Sequence, residues 1–426
     1  MPMKKEKLFN LIENSPTAFN CVHYLKNILK EQNFQEVVEQ ENWDLKDSIY
    51  FTTRNDASLI AFKIPANPDH FQIITTHCDT PSLELKPAGE NIKENYLKYN
   101  IMPYGGLLNY GWLDHPLSLA GRVFIKKKNT FQSKIIDFQK TVAVVPSVAI
   151  HQNDKANSNL DLNMQTDLQP ILNLSEKKED FLKLLKDFLK LKKEETLCDY
   201  DLFFYNNTPP QTFGLKEDLL LSPRIDNLTS VSAAFESFIE SDPKSISVFT
   251  TFNNEEIGSL TQEGADGSFL LDTLKRITTS LNIPLAQALA KSFIISSDNT
   301  HATHPNHPEY MDTTANAYLG KGFAIVKESS STTNAYFSSL LKELCHQHKI
   351  PYQDSTAKND LAGGSTLSGI SLRHVSVTSI DVGIPELAMH SSLEVCSLKD
   401  YEALYQMMKI FYQTNITITK KGTTLS

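Results

Sequence analysis

Four short apolar runs, each ending in side chains that can bind a metal, constrain this chain more than any other feature. Phe71 to Thr76 runs into His77-Cys78-Asp79, and Ile246 to Phe252 runs into Asn253-Asn254-Glu255-Glu256. Phe293-Ile294-Ile295 leads to Ser296-Ser297-Asp298, and Val375 to Ile380 leads to Asp381-Val382-Gly383, shortly before Met389-His390-Ser391. Continuous β-rich runs of this length suit strands buried on both faces, and an open α/β sheet collects its ligands at the carboxyl ends of such strands. Between them lie helical patterns. Val231, Ala234, Phe235 and Phe238 fall on one helix face after Asp226, and Tyr336–His346 and Tyr401–Phe411 repeat the spacing. The expected fold class is α/β.

At about 150 residues per domain, 426 residues suggest two or three domains. The stretch from about Lys86 to Ser222 differs from its flanks. It holds β-like runs (Gly121–Ile125, Thr141–Val145) and a lysine-rich segment, Lys177–Glu195, whose Phe181, Leu184, Leu185, Phe188 and Leu191 keep helical spacing. Its lysines alternate with glutamates, which reads as a solvated amphipathic helix. We therefore expect a discontinuous catalytic domain, 1–85 and 223–426, split by an inserted domain, 86–222.

Lys and Arg total 41 against 50 Asp and Glu, a formal charge of −9 that argues against nucleic acid as a partner. No run approaches the roughly 18 apolar residues of a membrane helix, so no membrane partner is expected. Glu6, Asn10, Glu13 and Asn14 interrupt any apolar core of a signal peptide. The five cysteines are scattered, odd in number and without a CxxC pair, as in a reducing compartment. The expected location is cytoplasmic.

A carboxylate-rich His/Asp/Glu set suits divalent metals, and two metals close together need a bridging carboxylate. His77 and Asp298 would hold one ion, Glu256 and His390 the other, and Asp226 would bridge them. Asp79, two residues beyond His77, would accept the other imidazole N–H and fix the ligating tautomer. Glu255 is left beside a ligand without being one, the position of a general base for an attacking water. The chemistry is metal-assisted hydrolysis of an amide.

The motifs in order resemble those of the M18 metallopeptidases, the aspartyl aminopeptidase family. They are Ser15-Pro16-Thr17-Ala18-Phe19, Thr76–Pro81, Tyr104-Gly105-Gly106, Trp112-Leu113-Asp114, Leu119–Val123, Pro146–His151, Ser222–Leu228, Asn254–Ser259, Ser297–Asn306, Gly364-Ser365-Thr366 and Met389-His390-Ser391. The resemblance implies a dizinc exopeptidase with a mixed-sheet α/β/α catalytic domain and an inserted β-rich dimerisation domain. It also implies a homodimer that assembles further, often into a dodecamer. The ions would be Zn2+, with Co2+ or Mn2+ as alternatives, and the substrates would be peptides. His151 would reach a neighbouring subunit's site, His301 would touch substrate, and Lys327 would pair with an acidic side chain. The expected activity is removal of N-terminal Asp or Glu. The alternatives are an M18 aminopeptidase of neutral or basic preference, an aminoacylase on a related scaffold, and a non-catalytic assembly or cargo protein. Two departures fall where the substrate pocket is expected. Glu328–Ala335 lacks the Asn-Gln-Arg-Tyr-Ala-Thr stretch of eukaryotic members, and Gly363-Gly364-Ser365-Thr366 replaces Cys-Gly-Ser-Thr.

Overall fold

Every residue of Phe71–His77 and of Ile246–Phe252 is buried, as the apolar runs require. The computed structural model describes residues 2–158, 160–175, 181–360 and 367–426. These two strands lie side by side at the centre of a nine-stranded mixed sheet. In space the order is Gln35–Glu36, Ile49–Arg54, Ser58–Lys63, Ile246–Phe252, Phe71–His77, Phe293–Ser297, Thr378–Gly383, Phe323–Val326 and Tyr352–Ser355. The four strands from Ile246–Phe252 to Thr378–Gly383 are mutually parallel, so their carboxyl ends share one edge. One face packs on the helices Ile225–Glu240 and Leu398–Gln413, whose Phe235, Phe238, Leu404, Met408 and Tyr412 are buried. The opposite face carries a second core beneath the helix Phe269–Ser280.

The expected strand at Val375–Ile380 is shifted: it runs from Thr378 to Gly383 and includes Asp381. Val375 and Val377 instead pack into the second core ahead of it. Hydrophobicity marked a buried segment there, but a short apolar run carries no signal for where sheet pairing begins.

A separate six-stranded antiparallel sheet, in the order Thr130–Asp137, Leu117–Lys127, Glu195–Asn206, Ser82–Lys93, Tyr96–Tyr104 and Ile171–Leu174, has its own core. Thr141–Val145 contributes only isolated bridges to this region, through Ala143 and Val144. The lysine-rich segment forms the helix Phe181–Leu189, with Phe181, Leu185 and Leu189 buried and Leu184 and Phe188 exposed. Residues 177–180 of that segment, and Gly363–Thr366, lie outside the described residues. A third sheet joins Gln211–Phe213, Leu219–Ser222, Glu394–Ser397, Pro385–Leu387 and Thr300–His301. It brings the Asp298 and His390 segments to the same edge as the parallel strands. Among the described residues, no helix is long and apolar enough to cross a membrane.

Candidate metal centre

His77 ends its strand fully buried, and its ring is gripped from both sides. Nδ1 donates to the main-chain oxygen of Asp79 at 3.0 Å, so Nε2 carries the lone pair. That Nε2 faces Asp298 Oδ1 at 3.2 Å and Asp226 Oδ1 at 3.4 Å. His390 repeats the arrangement. Its Nδ1 donates to Gly106 O at 2.7 Å, while Nε2 faces Asp226 Oδ2 and Glu256 Oε2, each at 3.4 Å. A lone pair held against carboxylate oxygens is repulsive unless a cation or a proton lies between them.

The spacing fits a cation. In a tetrahedral shell with bonds of about 2.0–2.1 Å, neighbouring donor atoms sit about 3.3 Å apart. His77, Asp226 and Asp298 form one candidate triad; Asp226, Glu256 and His390 form another. Asp226 belongs to both and turns one oxygen toward each histidine. A third grouping, His77 with Glu255 and Glu256, sets Glu255 against the pair without placing it in either triad. Buried Asp226 Oδ1 and Glu256 Oε1 have no hydrogen-bond partner among the described residues.

Local backbone explains why these residues converge. Glu255 and Glu256 lie on one helical turn bounded by left-handed Asn254 (φ 62°) and Gly258 (φ 97°), which swings both carboxylates back over the strand end. Gly105, also left-handed at φ 76°, lets its loop pass Glu256: a Cβ there would lie 3.1 Å from Glu256 Cβ. Gly383 is needed for a close approach, because a Cβ would sit 1.8 Å from the carbonyl oxygen of Asp298. The Asp79 side chain does not take the nearest hydrogen bond from His77, whose Nδ1 is 3.4 Å from Asp79 Oδ1. It accepts from Tyr104 Oη at 2.8 Å and from the Glu256 amide at 3.1 Å, so Asp79 orients both a histidine and a carboxylate.

Glu394, which the motif reading left out, ties the two histidine-facing loops together. Oε1 accepts the His390 amide at 2.8 Å and Oε2 accepts the Asp226 amide at 3.1 Å. This holds His390 in an uncommon left-handed conformation (φ 66°). The only sequence cue is a glutamate four residues after His390, which by itself distinguishes nothing. Glu394→Gln keeps the shape but replaces one acceptor oxygen with an NH2 group facing an N–H. We expect metal affinity, read by chelator competition, to drop about 10- to 100-fold. Unaltered affinity would remove Glu394 from the support of the centre.

The electrostatics follow from crowding acids around two imidazoles. Burial alone would lower the His77 pKa, but Asp298, Asp226 and Asp79 raise it well above its ordinary value. His390 is also raised, against burial, chiefly by Asp226. Asp226 is held well below the usual carboxylate range: burial opposes this, and the two histidines outweigh it. Burial, reinforced by Asp298, Asp79 and Asp226 and opposed by His77, pushes Glu255 up to about 8. Burial and Asp226 push Glu256 up as well. Without a cation, the set must hold protons in its place.

A cavity of about 350 Å³ opens on these groups and is lined beyond them by His301, Val326, Glu328 and Asp381. A larger cavity of about 800 Å³, between the helix Ala18–Glu31 and the strand Thr130–Asp137, contains none of them. His301 thus reaches the cavity as expected for a substrate contact, with its pKa lowered by burial. Lys327 does not. Lys327 follows the strand Phe323–Val326, is exposed, and is not among the residues that line the cavity. His151 is also not brought in; it is exposed on the turn Ile150–Gln152, beside exposed Val148.

A mixed parallel sheet with histidines and carboxylates gathered at its strand ends is the architecture of an α/β metallohydrolase. The family described as Aminopeptidase I zinc metalloprotease (M18) matches residues 11–412. The chain belongs to this M18 family of zinc aminopeptidases. A probable M18 family aminopeptidase 2 of Clostridium novyi is 38% identical over 95% of this chain and 96% of its own length. A protein of the same description from Pseudomonas fluorescens is 32% identical, over 96% and 97%. Among solved structures, Ape4 in complex with Nbr1 superposes with TM-score 0.90 at 29% identity, covering 96% of this chain and 86% of that one. The mApe1 dodecamer of S. cerevisiae gives 0.83 at 25% identity, covering 96% and 95%.

Proposed function

We propose that this M18 aminopeptidase removes N-terminal residues with two divalent ions, Zn2+ by preference. His77 and Asp298 would hold one ion, Glu256 and His390 the other, and Asp226 would be shared between them. The carrying observation is that one buried carboxylate, Asp226, turns one oxygen to each of two opposed imidazole Nε2 atoms. When bound, the ions supply Lewis acidity toward the scissile carbonyl and toward water. Glu255, beside both triads but outside them, takes a proton from the water whose oxygen adds to the carbonyl carbon. As the C–N bond breaks, Glu255 returns that proton to the departing amine. Asp79 orients His77 and Glu256 throughout. His301 faces the substrate across the cavity.

An acidic N-terminal preference calls for a cation near the substrate side chain; Lys327 does not line the cavity, which leaves the two ions to supply it. The −9 charge and the scattered, unpaired cysteines support a cytoplasmic location. The six-stranded sheet falls largely within the insertion expected at 86–222, for which a dimerisation role fits the exposed Val148, Ile150 and His151 loop. The dodecameric S. cerevisiae relative supports a homo-oligomer, in which His151 would meet a neighbour's cavity.

Protein reconstituted with zinc, cobalt or manganese should release the first residue of a peptide with a free N-terminus and spare its N-acetylated form. Faster hydrolysis of N-acyl amino acids than of free-amine peptides would favour an aminoacylase instead. No hydrolysis of either would leave the assembly reading.

A further inference from the structure

The strand Tyr96–Tyr104 belongs to the six-stranded antiparallel sheet, yet its last residue reaches the groups that support the metal centre. The Tyr104 hydroxyl donates to Asp79 Oδ2 at 2.8 Å and accepts from Asn254 Nδ2 at 2.9 Å. All three residues are buried. Asp79 in turn accepts from His77 Nδ1 through its main-chain oxygen and from the Glu256 amide through the same Oδ2. Asn254 is the left-handed residue that opens the turn Glu255–Ile257, and its main-chain oxygen takes the Ser259 amide at 2.7 Å to close it. Its side-chain oxygen accepts from Thr261 Oγ1 at 2.9 Å. One phenol therefore stands between the residue that orients His77 and the residue that starts the turn carrying Glu255 and Glu256.

Packing alone does not account for a tyrosine here. The Tyr104 ring lies edge-on to Phe203 with centroids 5.5 Å apart, a contact that phenylalanine would keep. Only the hydroxyl supplies a donor to the carboxylate and an acceptor for the amide, both away from water. Without it, Asp79 Oδ2 keeps the Glu256 amide alone, and Asn254 Nδ2 loses this acceptor. Buried polar groups left unpaired are costly, so both side chains would turn toward other partners. Asp79 Oδ1 already lies 3.4 Å from His77 Nδ1, so a freed carboxylate would compete for the imidazole N–H.

We infer that Tyr104 is a positioning residue whose hydroxyl locks Asp79 to Asn254 and so sets His77 and Glu255 in the geometry that water activation requires. This rests on the two-ion aminopeptidase reading. Tyr104 belongs to neither triad and does not line the cavity that opens on them, so it acts through its two partners. A misplacement of about 1 Å in a reacting group costs on the order of 100-fold in rate. Loss of an outer hydrogen-bonding partner weakens metal binding by about 10- to 100-fold.

The test compares wild type with Tyr104→Phe, Asn254→Gly and Phe203→Leu. It measures kcat and KM at saturating zinc, zinc affinity by chelator competition, the absorption spectrum of the cobalt-loaded protein, and thermal unfolding. Tyr104→Phe should lower kcat about 10- to 100-fold with KM little changed. It should also weaken zinc binding about tenfold and shift the cobalt bands. Asn254→Gly keeps the left-handed backbone and removes the amide, so kcat should fall there too. Combined with Tyr104→Phe, it should cost less than the product of the two single effects. Phe203→Leu should lower the melting temperature and leave kcat and the cobalt spectrum as they are. A Tyr104→Phe protein with wild-type kcat and cobalt spectrum, whatever its melting temperature, would reduce Tyr104 to packing and overturn the inference. If Tyr104→Phe does not fold, an unaltered kcat in Asn254→Gly would overturn it equally. A wild type that hydrolyses no peptide would sink the proposed reaction instead. Zinc affinity and the cobalt spectrum then decide alone: a change in Tyr104→Phe upholds the positioning role, and no change overturns it.

Discussion

Glu255→Gln should abolish most turnover while leaving the metal content as it is. The substitution keeps the side chain's volume and one acceptor oxygen but removes the group able to take a proton from water and return it to the amine. Glu255 lies outside the two triads that share Asp226, so on the proposed mechanism the ions are held by the other five side chains. General acid–base catalysis by one positioned group is worth about 10²–10⁴-fold, and in the proposed mechanism the same group would serve both proton transfers. We expect kcat to fall about 10³-fold, or about 4 kcal/mol of lost transition-state stabilisation. KM and metal stoichiometry should stay within a few-fold of wild type. Turnover within tenfold of wild type, with metal intact, would mean that another group moves the proton. Loss of metal together with activity would place Glu255 among the ligands.

Asp226→Asn should have the opposite signature, with metal lost first and activity lost because of it. Asp226 is the one carboxylate shared by the two triads, so converting it to an amide weakens both at once. An Asn at this position turns a neutral oxygen toward one imidazole and an NH2 group toward the other, so one histidine loses its acceptor altogether. Metal content should fall well below wild type, and activity should fall more than about 10³-fold. The metal-free protein should also be destabilised. Its Asp226 pairs with both imidazoles, and removing one partner from a buried ion pair costs about 3–5 kcal/mol. Both His77 and His390 have raised pKa values in the metal-free state, so this added stability is present at lower pH and fades as pH rises through those values. Thermal unfolding of the two chelator-treated proteins at pH 6 and pH 9 should show a gap that narrows at the higher pH. Equal melting temperatures at pH 6 would contradict the pairing.

Strands, and the residue types at their ends, were legible because burial on both faces leaves a continuous apolar run that polar residues punctuate. Phe71–His77 and Ile246–Phe252 lie close to where the runs placed them. Where pairing was not written in hydrophobicity, the reading slipped. The last parallel strand starts three residues later than its apolar run, and Thr141–Val145 makes bridges instead of a strand. Lys327 stands in a familiar position for a lone cation, but it lies just past the end of the strand Phe323–Val326, exposed and outside the cavity lining. Glu394 was invisible for a related reason: its function is to accept two main-chain amides from segments 168 and four residues distant, and amides leave no trace in residue identity.

Local chemistry therefore specified the strands, the helix faces, the metal-seeking residue types and the family pattern. All of these are properties of short segments and can be read one segment at a time. Only tertiary structure decided that Asp226 is shared, that Asp79 reaches Glu256 as well as His77, and that Lys327 lies outside the cavity lining. Each of these depends on distances between strands and loops far apart in the chain. Those distances are set by packing the whole sheet at once.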